Sequence, residues 1–262
     1  MTSSLVGSEM CIRDRFMYKA TGWGDAYPRY DAQNNKSTKT AAGWSQAKPV
    51  YLLSDKATIW AYYPYNQAVA DGTKVPVPIN AGTSVDYMWG KSTNQVSVIE
   101  TDAVIPMKHA LSQLVIRLKV SPEYHNDGNL TSAKLKSKAA KFGTSGTMNL
   151  NDNGRIIFSP TSTELSWTPN TTIPAQGNPS VDFAAAIYPM SLAAGEVSME
   201  VVIDGATYTY SIPQISWEAG KRYIYSITMR SNDAEIGGEN GQSVTIEPWG
   251  SSESDVTLVP VK

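Results

Sequence analysis

Between residues 197 and 212 apolar side chains occupy every second position in two runs: Val197, Met199, Val201 and Ile203, then Ala206, Tyr208, Tyr210 and Ile212. Asp204 and Gly205 stand between them. A two-residue Asp-Gly step between alternating runs is a strong short-range hairpin signal, because both turn positions take the positive φ that matches the twist of the flanking strands. The same period recurs at Leu114, Ile116, Leu118 and Val120, with Val115, Arg117 and Lys119 between them, and at Tyr223, Tyr225, Ile227 and Met229. Strands apolar on one face and wet on the other imply antiparallel sheets packed through one side. The expected fold class is all-β. No stretch approaches the ~18 consecutive apolar residues of a membrane helix.

At 262 residues the chain can form one large β-domain or two small ones, and two is the expectation. The turn cluster at residues 121–128, with Pro122 and Asn126-Asp127-Gly128, supplies the boundary. This gives an N-terminal sandwich over residues 16–122 and a C-terminal one over 123–262. A net charge of −2 with 18% charged residues provides no basic field for nucleic acid or an anionic membrane surface. The 14 Tyr and 7 Trp against 4 Phe favour rings that keep one polar atom near water, which suits thin β-sandwiches.

Residues 1–15, MTSSLVGSEMCIRDR, show neither strand alternation nor a helical stripe. They resemble a translated sequencing adaptor of the kind found at the ends of metagenomic gene calls, and are set aside as a non-native tail. The gene's own start, with any export signal, is then expected upstream. Setting them aside also removes Cys11, the sole cysteine, and with it disulfides, thiolate metal sites and a cysteine nucleophile.

Along the rest, residues 22–40 read as an irregular approach, and residues 48–53 and 57–65 as strands around a short turn. In the second of these, Trp60 and Tyr62 point to one face and Ala61, Tyr63 and Tyr65 to the other. Pro76 and Pro78 confine residues 74–80 to a sheet edge. Residues 149–159 read as a hairpin, 162–179 as a loop, and 244–249 and 256–261 as closing strands.

Few residues could carry chemistry. His109 shares strand parity with Ile105, Met107 and Leu111, which predicts an imidazole at the core's edge, hydrogen-bonded to backbone. His125 lies in the boundary turn. Two histidines on separate segments assemble no His-rich zinc site. Residues 149–154, NLNDNG, imitate the start of a calcium loop, but position twelve is Pro160 instead of glutamate, and a hairpin turn explains them. Asp55, Asp71, Asp127, Asp152 and Asp204 sit in turns, where carboxylates bond to backbone. Lys134, Lys136, Lys138 and Lys141 read as a solvated strand face. The aromatic run at Trp60–Tyr65 reads either as packing or as a sugar-stacking surface. No cofactor is expected.

Five phrases, DYMWGKS at 86–92, HALSQLVIRLKV at 109–120, AAIYPM at 185–190, WEAGKRYIYSITM at 217–229 and VTIEPW at 244–249, are similar, in this order, to the fimbrillin-like proteins of Bacteroidetes. The resemblance implies two tandem transthyretin-like β-sandwiches, a strand at the start of residues 132–142, and export to the cell surface or outer membrane, often as a lipoprotein. It also implies a non-catalytic fimbrial subunit or adhesin whose partners are other subunits, joined by β-strand donation, and host or bacterial surface glycans or proteins. The candidate assembly strand lies at the chain end, where Val256, Leu258 and Pro260 share one face. Such a strand either closes its own sandwich or is lent to a neighbour. The alternative is a surface carbohydrate-binding protein using exposed Trp and Tyr.

Overall fold

The computed structural model describes residues 12–27, 33–41, 43–79, 85–125, 127–173, 180–230, 233–236, 245–249 and 257–258; residues 12–14, 40, 230, 233–236 and 257–258 are described by backbone alone. All regular structure among them is β. The first strands are β1 (Ile12–Lys19), β2 (Ser37–Thr40), β3 (Gly43–Gln46), β4 (Ala57–Tyr63), β5 (Val75–Pro78), β6 (Met88–Lys91), β7 (Ala103–Val104), β8 (Met107–His109) and β9 (Ser112–Val120). There follow β10 (Gly128–Ser137), β11 (Ser145–Asn149), β12 (Arg155–Phe158), β13 (Glu164–Trp167), β14 (Thr171–Ile173), β15 (Ser180–Ile187) and β16 (Met190–Leu192). The last are β17 (Val197–Ile203), β18 (Ala206–Ser211), β19 (Ile215–Trp217), β20 (Lys221–Arg230), β21 (Asp233–Ile236), β22 (Thr245–Pro248) and β23 (Thr257–Leu258).

The alternating runs build one sandwich. One sheet orders β13-β10-β17-β18 and the other β15-β9-β20-β21, and their apolar faces meet in a single core. Leu114, Ile116 and Leu118 of β9 and Tyr223, Tyr225 and Ile227 of β20 pack there with Leu135 of β10 and Met199 and Val201 of β17. The Asp-Gly hairpin forms as the residues dictate: Ile203 pairs with Ala206, and Asp204 and Gly205 take φ of 49° and 79°. β9 lies between antiparallel β15 and parallel β20, so its sheet is mixed.

The second body centres on a six-stranded sheet, β3-β2-β1-β4-β6-β8, whose strands β1 and β4 bury apolar side chains on both faces. Phe16, Trp60 and Tyr62 on one side meet Val75 and Val77 of β5 and Met148 of β11. Met17, Ile59 and Ala61 on the other meet Met88, Ala103 and Ile105. Double burial explains why β4 is aromatic and apolar apart from Thr58, as in a sheet covered on both sides. β5 sits at an edge, as its prolines require, and pairs with β11. Tyr188 donates its hydroxyl to the carbonyl of Val77 and closes that seam.

Several expectations need correction. The set-aside segment 1–15 overlaps β1: Asp14 and Arg15 pair with Tyr62 and Ala61, Arg15 is buried, and residues 1–11 lie outside the described residues. β9, assigned by the boundary at 122 to the N-terminal sandwich, shares its sheet and core with strands from the other side of that boundary, while β11 and β12 extend a sheet begun by β5. Turn chemistry marked where the chain reverses but carried no information about which strands pair. Residues 48–53 form no strand, whereas β2, β13 and β14 arise in stretches read as irregular or loop, and β3 in a stretch given no assignment. Ile224 is as buried as Ile227, because β20 is an interior strand flanked by β9 and β22 and its outer face is also covered there.

Candidate assembly site

Residues 132–137 extend as part of β10, and the lysine row on it is salt-bridged. Lys136 reaches Glu200 at 2.7 Å, Lys134 reaches Glu164 at 3.3 Å, and beyond the strand Lys141 reaches Glu196 at 2.7 Å. Lys138 is exposed. Trp60 and Tyr62 are buried, and the Tyr62 hydroxyl donates to Asn34 Oδ1 at 2.7 Å with the Asn66 carbonyl 3.1 Å away, so these two rings of the aromatic run pack the core. Among the described large apolar side chains, Tyr51 is the exposed aromatic.

The calcium-like hexapeptide is the β11–β12 turn. Asn149 Oδ1 accepts from the N–H groups of Asn151 and Asp152, and Asn153 and Gly154 take positive φ. The glycine there answers to sterics: a Cβ at Gly154 would lie 2.0 Å from the indole of Trp89. Asp71 accepts from the backbone and hydroxyl of Thr73, which lowers its carboxyl pKa below the usual range. Asp204 accepts from the backbone of Asn129 and from the hydroxyl of Tyr124. These carboxylates hold turns. Among the described residues no group of three or more His, Cys, Asp or Glu could hold a metal, and no helix is long and apolar enough to cross a membrane, which leaves β-barrels aside.

His109 is held by a side chain, not by backbone. Its Nδ1 lies 2.9 Å from Asp86 Oδ1, and its ring stacks on the indole of Trp249. Sequence spacing missed this, since 140 positions separate the two rings and nothing local joins them. Trp249 follows β22 directly, and its N–H donates to the Gly220 carbonyl at 2.7 Å. The stack therefore anchors the point from which the chain runs on to its C-terminal strand.

That strand, β23, pairs antiparallel with β7, Thr257 opposite Val104 and Leu258 opposite Ala103. Of the candidate assembly residues, Leu258 is thus on a paired strand, while Val256 and Pro260 lie outside the described residues. The acceptor is prepared from its other side. Val104 donates its N–H to Asn94 Oδ1 at 3.0 Å and accepts at its carbonyl from the Thr93 N–H at 2.9 Å. Strand backbone alternates, so the polar groups of Ala103 face the opposite edge, where β23 lies. Two residue pairs hold β23, against eight that join β9 to β20.

The sequence pattern of the fimbrillin-like family matches residues 13–249. No curated protein matches the chain. Among solved structures, a candidate cell adhesion protein from Bacteroides ovatus is similar at a TM-score of 0.67 and 18% identity, over 94% of this chain and 89% of that one. A second, from Bacteroides uniformis, is similar at 0.65 and 18%, over 92% and 91%. The tip fimbrial protein Mfa3 of Porphyromonas gingivalis, with a C-terminal truncation, shares the fold at 0.52 and 9%, over 91% and 94%. With a family match over most of its length and an all-β architecture shared with these structures, the chain belongs to the fimbrillin-like family.

Proposed function

We propose that this protein is a non-catalytic fimbrial subunit or fimbria-associated adhesin of the bacterial cell surface, which joins other subunits by lending them its C-terminal strand. The observation that carries the reading is the pairing of β23 with β7. A terminal strand held by two residue pairs, on an edge whose other side is already fastened to Thr93 and Asn94, can be exchanged for the same strand of a neighbour at the cost of a two-stranded pairing alone, the larger sheets staying intact. Main-chain bonds from the incoming strand would restore what is lost, and alternate side chains would set its register. Family membership and the adhesion and fimbrial proteins among its structural neighbours support the same class of role.

Truncation after Ser252 tests the reading. A folded monomer by circular dichroism that enters no polymers by electron microscopy, beside a complete chain that does, is the expected result. Polymers of normal length from the truncated chain would rule out a donor role for residues 256–261. Selective micromolar binding on a glycan array without self-association would instead favour a surface carbohydrate-binding protein.

A further inference from the structure

A second edge in the molecule is suited to pairing, and it lies in a different sheet. β18 ends the sheet β13-β10-β17-β18 and, among the described residues, pairs only with β17. Exposed edges are ordinarily blunted by charge, proline, shortness or bulges. β5 carries two prolines, β12, β13 and β15 carry Arg155, Glu164 and Asp182, and β3 and β8 are four and three residues long. β18 runs six residues, Ala-Thr-Tyr-Thr-Tyr-Ser, with neither charge nor proline.

Its backbone phase is fixed by the hairpin. The closing pair of a two-residue hairpin, here Ile203 and Ala206, exchanges hydrogen bonds, so Ala206, Tyr208 and Tyr210 bond toward β17. Ile212 keeps that phase, donating its N–H to Val197 at 2.9 Å. Thr207, Thr209 and Ser211 therefore aim their N–H and C=O groups away from the sheet. Their side chains are exposed on its outer face, while Tyr208 and Tyr210 lie half-buried against the core on the inner face.

We propose that β18 is a lateral docking edge for β18 of a second copy of this chain, paired antiparallel about a twofold axis at Thr209. Such an axis, normal to the sheet, keeps each face on the same side, so only residues of equal parity can stand opposite each other. Centred on Thr209, it sets Thr209 against Thr209 of the second copy, Thr207 against Ser211 and Tyr208 against Tyr210. Hydroxyl meets hydroxyl on the outer face and ring meets ring on the inner one, the cross-strand pairings that stabilise sheets. The outward-facing groups of Thr209 fall at a hydrogen-bonded position, and the two sandwiches become one continuous sheet across the axis. A closed twofold contact of this kind is isologous and stops at two copies, so it adds sideways pairing to end-to-end strand donation and does not depend on it.

Analytical ultracentrifugation of the complete chain with Cys11→Ser is expected to show a concentration-dependent dimer. Thr209→Pro removes the outward N–H and Thr209→Lys adds charge at the axis; both should abolish the dimer while circular dichroism shows the β-fold retained. Thr209→Cys in the same background should cross-link with a short bifunctional thiosulfonate, since Cα atoms of a hydrogen-bonded pair lie about 5.5 Å apart. Thr207→Cys alone should not. A monomer at every concentration, or a dimer indifferent to both Thr209→Pro and Thr209→Lys, would overturn the proposal. Cross-linking through position 207 and not 209 would overturn the register.

Discussion

The imidazole of His109 lies parallel to the indole of Trp249, ring centroids 4.6 Å apart and planes within 8° of each other. The pair fastens the end of β22 against β8, beside the core formed by Leu111, Ala186 and Tyr188.

Trp249→Ala should therefore cost about 3–5 kcal/mol, from lost transfer energy and an unfilled cavity. His109→Ala, at a side chain 20% exposed, should cost less, roughly 1–2 kcal/mol, for the lost stacking and the Asp86 hydrogen bond. Urea denaturation of both variants checks the order. A negligible cost for His109→Ala would mean that the indole is held by its backbone bond and the core alone.

Ile227→Ala should cost about 2–4 kcal/mol, as expected for a side chain in the main core. Alternation alone predicts a smaller cost for Ile224→Ala, which has opposite parity. The structure predicts a similar one, because Ile224 is 1% exposed and stands beside fully buried Val115. Denaturation midpoints of the two variants decide between local pattern and sheet position.

That pair shows what could be read in residues and what could not. Strand identity and phase were legible wherever one face is apolar, as in β9, β17 and β20, since a period of two is a local property. Sheet order is not local. Nothing in Val75–Pro78 names β11 as its partner, and nothing in residues 112–120 says that parallel β20 lies beside them. Strands built of polar residues, such as Ser37–Thr40, carry no alternation to detect. At the candidate assembly site the strand pattern at the chain end was visible, but its acceptor, β7, is two residues held by one bond to the Asn94 side chain and one from the Thr93 backbone. The anchoring stack of His109 on Trp249 joins distant segments by shape.

Alkaline pH should unfold the protein through its buried phenols. Burial raises the pKa of Tyr225 and Tyr188 well above the ordinary tyrosine value, and burial followed by the Asp204 hydrogen bond does so for Tyr124. These groups stay protonated in the folded chain after their counterparts in the unfolded chain ionise at about pH 10. The unfolded state then binds fewer protons, so stability falls as pH rises. The contribution is intact below about pH 10 and is lost progressively above it. Denaturation midpoints at about pH 8 and pH 11, with tyrosinate absorbance followed in parallel, check the sign. An unchanged midpoint across that interval would show that the phenols titrate freely in the fold.

Residues 12–15 give a test at the other end of the chain. Setting aside residues 1–15 as a tail predicts no thermal effect when they are deleted, whereas the pairing of Asp14 with Tyr62 and Arg15 with Ala61, and the burial of Arg15, predict a loss. A chain lacking residues 1–15 should melt several degrees below one lacking residues 1–11, since ~1 kcal/mol shifts a chain of this size by about 2–4 °C. Equal midpoints would return residues 12–15 to the tail.

Gly154 and Gly205 separate two reasons for glycine at a turn. Both take positive φ, 67° and 79°, so alanine at either position carries the left-handed strain of about 1–2 kcal/mol. Around Gly205 there is nothing within 4 Å of an added Cβ, whereas at Gly154 that atom would meet the Trp89 ring at 2.0–2.4 Å. Gly205→Ala should show the strain alone. Gly154→Ala must also displace an indole packed against the core, adding a further ~1–3 kcal/mol of overpacking. A double-mutant cycle with Trp89→Ala measures the second part directly, because shrinking the indole should remove the excess and leave Gly154→Ala as mild as Gly205→Ala. If Gly154→Ala costs the same with and without the ring, Trp89 does not constrain the turn and backbone conformation alone explains the glycine.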